Sequence, residues 1–134
     1  MASYELIPLP EGQEGDFALR VSDDALAPYF APGQTVYLRR STRLDNGDVG
    51  LFYSRGGMVF RQFCADSEGI IYLFSLDRTR RGGDIRIPAG GEKPVCYGKL
   101  VLSRPIPLPV DLIFRDLCYN IISVRLHRLK GAFS

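Results

Sequence analysis

The sequence predicts a mainly β protein, a partly open β-barrel or sandwich with one short helix near its carboxy terminus. Two observations carry that prediction. Between Asp16 and Leu102, apolar residues repeat with the two-residue period of a half-buried strand, in runs of five to eight residues. Between the runs lie Asn-Gly, Gly-Gly and Asp/Ser/Gly clusters, the residues that close tight turns at regular spacing.

The elements follow in order. Residues 1–15, with Pro8, Pro10, Gly12 and Gly15, read as an extended lead-in. Asp16 to Val21 alternates, with Phe17, Leu19 and Val21 on one face, and a turn-rich stretch runs on from Ser22 to Gly33. Thr35 to Arg40 resumes as a strand, and Asp45-Asn46-Gly47-Asp48 turns the chain into Val49 to Ser54. Arg55-Gly56-Gly57 is the next tight connection, followed by Met58 to Cys64. Ile70 to Ser75 is apolar on both faces, which predicts a strand with neighbours on either side. Asp84 to Pro88 and Val95 to Leu102 complete the set.

After a proline-rich run from Arg104 to Pro109 the period changes. Val110, Ile113, Phe114, Leu117, Cys118 and Ile121 recur at helical spacing, predicting a helix over 111–122. Val124 and Leu126 then alternate again. The chain therefore divides into a lead-in (1–15), a β domain (16–104) and a linker with a helical tail (105–134).

Composition excludes several functions. Seventeen basic residues nearly balance fifteen acidic ones, so the net charge of +2 does not describe a phosphate-gripping face. Cys64, Cys96 and Cys118 form no CxxC pair, and His127 is the single histidine, so neither a metal site nor a cofactor is expected. Three reduced thiols and no secretory signal pattern fit a cytoplasmic protein. No apolar run approaches the length of a membrane span. The clusters Arg39-Arg40-Arg43 and Arg78-Arg80-Arg81 are read as solvated charges of loops and edges before phosphate contacts.

One stretch carries more. Phe17-Ala18-Leu19-Arg20-Val21-Ser22-Asp23-Asp24-Ala25-Leu26-Ala27-Pro28, followed by Pro32-Gly33-Gln34-Thr35-Val36, resembles the LexA, phage-repressor and UmuD family of self-cleaving serine peptidases. There a strand ends in Val-Ser-Gly-x-Ser-Met-x-Pro before a Gly-Asp turn. The family's Ser-Met-x-Pro falls on Ala25-Leu26-Ala27-Pro28. Its Lys-Arg falls near Met58 to Phe63, and its closing strand on Cys96-Tyr97-Gly98-Lys99-Leu100-Val101. The resemblance spans roughly Phe17 to Ser103, in the family's order, and implies the fold of the LexA carboxy-terminal domain.

It also implies a Ser-Lys dyad, in which a desolvated lysine deprotonates the serine hydroxyl. At the nucleophile position stands Ala25. At the base position stands Phe60 or, one residue on, Arg61; a phenyl ring takes no proton and a guanidinium keeps its own. Lys93, Lys99 and Lys130 lie off the strand that presents the base, and the scissile Ala-Gly or Cys-Gly pair is not found ahead of Ala25. Ser22, Ser54 and His127 have no partner suggested by the sequence. The expectation is therefore a non-enzyme: a LexA-like dimerisation or regulatory domain of a helix-turn-helix transcriptional regulator. Such a domain forms a homodimer and meets DNA only through an amino-terminal domain that this chain lacks. The alternatives are a sensor binding a peptide or small ligand in the vestigial cleft, and a self-cleaving peptidase with atypical residues.

Overall fold

The computed structural model describes residues 4–41, 43–54, 56–79 and 82–109. Eight strands form one antiparallel sheet: β1 (Tyr4–Ile7), β2 (Phe17–Val21), β3 (Gln34–Arg39), β4 (Val49–Ser54), β5 (Gly57–Ala65), β6 (Ile71–Phe74), β7 (Ile85–Ile87) and β8 (Val95–Leu100). Their order across the sheet is β1-β2-β3-β8-β4-β5-β6-β7, so the last strand in sequence is inserted near the middle. Every strand expected from alternation is present to within two residues at each end. The lead-in holds one more: Tyr4–Ile7 pairs with β2, from Tyr4 opposite Val21 to Ile7 opposite Ala18. The predicted helix over 111–122 lies outside the described residues, as do Cys118 and His127.

Both faces of the sheet are apolar, in different places. On one face Leu19, Val21, Val36, Leu38, Leu51, Phe60 and Leu100 form the main core, with Leu26, Leu76 and Ile106 added from loops. Further along that face, Cys64, Tyr72 and Phe74 form a second cluster, against which Leu108 packs. The other face carries Phe52, Leu73 and Ile85, flanked by Val59, Phe63 and Cys96. The alternation of Leu51 with Phe52 and of Val59 with Phe60 is what divides these residues between the two faces.

The sheet is strongly coiled. In the sheet order β1 and β5 are five strand spacings apart, roughly 24 Å in a flat sheet. Yet the rings of Tyr4 on β1 and Phe60 on β5 lie 5.2 Å apart, edge to face at 74°. Strand twist must therefore wrap β1–β3 over β4, β5 and β8, enclosing the main core as a half-open barrel.

A bulge adjusts the wrap. Along the β4–β8 pair, Gly98 faces Leu51 while Cys96 faces Phe52, leaving Tyr97 as the extra residue. Gly98 fits closely there: a Cβ would lie 3.0 Å from the Phe17 ring and 3.1 Å from the Arg39 carbonyl oxygen.

Candidate functional site

Of the residues singled out in the sequence, Ala25 and Phe60 come together at the main core. β2 ends at Val21, and the Asp23 carboxylate, through Oδ1, accepts the Ala25 backbone N–H at 3.0 Å, an Asx turn that replaces strand pairing. The Leu26 carbonyl accepts the N–H groups of Tyr29 and Phe30, both at 3.0 Å, and the Ala27–Pro28 peptide is cis. This fold drives the Leu26 side chain into the core, where it is 1% exposed, and leaves Ala25 packed against the same cluster. Phe60 reaches that cluster from the middle of β5 and is fully buried. Ala25 and Phe60 thus share one apolar environment.

Arg61, the alternative base position, alternates away from Phe60. Its Nε donates to the Gly83 carbonyl at 3.0 Å and its Nη1 to the Phe60 carbonyl at 2.8 Å, so the guanidinium ties backbone segments together. Of the described lysines, Lys99 Nζ is ion-paired with Asp48 Oδ2 at 3.3 Å, and Lys93 is exposed in the loop before β8. Ser22 is exposed, and Ser54 ends β4 opposite Gly57.

Tyr4 packs against the same cluster, on the Phe60 ring, and nothing in the sequence marked it. Its phenol is pushed up to about 12, mainly by burial and further by the Asp23 carboxylate, with Arg61 opposing. A phenol so held stays protonated at neutral pH and is a poor nucleophile.

A second polar arrangement also escaped the sequence reading. Gln62, fully buried two residues beyond Phe60, donates from Nε2 to the carbonyls of Gly47 (3.1 Å) and Ile106 (2.7 Å). Its Oε1 accepts from Arg78 Nη2, which also donates to the Pro107 carbonyl at 2.9 Å, while Arg78 Nη1 donates to the Ser75 carbonyl. Burial lowers the Arg78 pKa, against the Tyr29 and Asp84 charges. Arg78 is an exposed loop charge, as expected, whose guanidinium also clamps the 106–107 segment. A glutamine at an inward position of the Phe60–Gln62–Cys64 alternation was the available signal. Arg39 is likewise committed, to Glu14 at 2.6 Å. Arg80 and Arg81 lie outside the described residues.

Among the described residues, no group of three or more histidine, cysteine or acidic side chains is placed to hold a metal, and no helix is long and apolar enough to cross a membrane.

An open antiparallel sheet closed by a late-inserted strand, with a Val-Ser turn leading into its core, is the architecture of a LexA-like peptidase domain. The Peptidase S24-like family model matches residues 3–101, and the chain belongs to that family. The match takes in β1, ahead of the stretch from which the resemblance was read. No curated protein shows significant similarity to the chain.

Proposed function

We propose that this Peptidase S24-like domain is non-catalytic and serves as the dimerisation and regulatory part of a helix-turn-helix transcriptional regulator in the cytoplasm. The observation that supports it is the shared apolar setting of Ala25 and Phe60, the positions that correspond to the family's nucleophile and base. Neither side chain can gain or lose a proton, and Tyr4 packs on Phe60 with its hydroxyl held protonated. A general base must lie within hydrogen-bond reach of the proton it takes, and this cluster offers no such pair. The alternative, a peptide or small ligand held between Ala25 and Phe60, is less favoured because the Tyr4 ring already lies against Phe60.

Dimerisation carries the functional weight in this reading. Joining two DNA-binding modules makes the second half-site contact effectively intramolecular, raising avidity by about 10²–10⁴-fold. Two measurements test the proposal. The purified chain held at alkaline pH keeps its intact mass; specific scission at one peptide bond would refute the non-catalytic assignment. Sedimentation over a concentration series shows a reversible dimer; a monomer at the highest concentration would remove the dimerisation role.

A further inference from the structure

The half-open barrel has an apolar mouth that the function above does not use. At the Tyr4 end of β1 the barrel is shut by the Tyr4–Phe60 ring contact. From that contact toward the other end of β1 the walls part, leaving a cavity of about 660 Å³ that Tyr4 also lines. Leu6, Phe17, Leu51, Met58 and Tyr97 line it, and neither Ala25 nor Phe60 does. That volume lies within the ~300–1,000 Å³ typical of small-molecule sites, which favour the mouths of β-barrels.

Three of the lining side chains are unusually exposed for their type: Leu6 at 71%, Tyr97 at 45% and Met58 at 39%. They come from β1, the β8 bulge and β5, so the apolar surface is assembled by the fold across separate strands. Single exposed apolar residues are ordinary, but three converging on one concavity mark a surface that something covers.

The rim supplies a charge. Arg40 lines the cavity, and its guanidinium carbon sits 5.9 Å from the centroid of the Phe17 ring. Among the described residues that guanidinium has no ion-pair partner, in contrast to Arg39 with Glu14 and Arg20 with Glu5. Asp16, also on the rim, accepts the Arg40 backbone N–H through Oδ2 at 2.8 Å, which holds Arg40 in place from its main chain. An apolar cavity with one unpaired guanidinium at its edge complements an amphipathic anion. The flat fork of arginine suits a carboxylate, which can take two parallel hydrogen bonds.

We propose that the barrel mouth binds a small apolar carboxylic acid, its hydrocarbon against Leu6, Leu51 and Met58 and its carboxylate on Arg40. The proposal does not depend on the dyad positions, because neither Ala25 nor Phe60 lines the mouth.

Calorimetric titration of the full chain with decanoate and with decanol tests it. Decanoate binds about tenfold more tightly than decanol. Arg40→Gln removes that difference and leaves decanol binding unchanged, while Met58→Asp, at an exposed position, weakens both ligands at least tenfold. Absence of decanoate binding, equal affinity for the alcohol, or indifference to either substitution would overturn the proposal. Binding that appears only after removal of residues 110–134 would also overturn it, by making that segment the occupant of the mouth.

Discussion

Tyr4 is the residue whose ionisation the fold controls most visibly. Its pKa rises from 10.0 to about 12, first because burial disfavours the phenolate and then because of Asp23. The neutral form is therefore favoured in the folded chain. This contribution to stability is complete below the unfolded value near 10 and is lost as pH climbs through the folded value near 12. Urea unfolding at stepped alkaline pH should show the wild type losing stability over that window more steeply than Tyr4→Phe, which has no proton to lose. Gln62 gives a second prediction at this scale. Gln62→Leu leaves the buried Ile106 carbonyl without its donor, and also removes a donor from the half-buried Gly47 carbonyl and an acceptor from the exposed Arg78. Each buried polar group left unsatisfied costs about 1–3 kcal/mol, so a loss of that order is the expected minimum in denaturant unfolding. Among the described residues no buried side-chain polar atom lacks a partner, which makes Gln62 a tight knot in a fully paired set.

Among the elements, β8 decides the architecture. It joins the β1-β2-β3 group to the β4-β5-β6-β7 group, pairing with β3 through Leu38–Leu100 and Arg39–Lys99, and with β4 from Lys99 back to Val95. Its bulge at Tyr97 moves that side chain to the mouth, and Gly98 lets Phe17 close over the strand. Gly98→Ala would place a methyl 3.0 Å from the Phe17 ring. The ring must shift and loosen the β2–β8 contact, a crowding effect of about 1–3 kcal/mol. Thermal unfolding reads this directly, and a mutant as stable as wild type would show that Phe17 relaxes freely. The turn residues were legible at this scale: Asn46-Gly47, Gly56-Gly57 and Asp66 to Gly69 all fall between strands as expected. β1 was not, because its four residues carry little alternation and sit among prolines. Its identity as a strand comes from the partner edge of β2.

Across the whole molecule, stability should be graded from the middle of the sheet outward. β4 is paired on both sides, shares the longest register with β5 and buries both faces at Leu51 and Phe52, and β8 beside it is also paired on both sides. β7 is a three-residue edge strand, and β1 is the other edge. Native-state hydrogen exchange should therefore find β4, β5 and β8 amides slowest, opening only with global unfolding, and β7 amides fastest. Slow exchange at β7 would mean that another surface covers that edge.

The sequence alone determined strands β2 to β8 and the order-preserving likeness to a self-cleaving peptidase fold. It also led to the expectation that Ala25 and Phe60 or Arg61 stand where the family carries its hydroxyl and amine. These are properties of local period and residue chemistry, which survive without knowing what lies opposite. Tertiary structure alone decided that Ala25 and Phe60 share one apolar cluster under Tyr4, and that Gln62 and Arg78 clamp the 106–107 segment. It also decided that Leu6, Met58 and Tyr97 converge with Arg40 on one mouth. Each of these joins residues distant in sequence, and only the coiling of the sheet, set by strand twist and the inserted β8, brings them together.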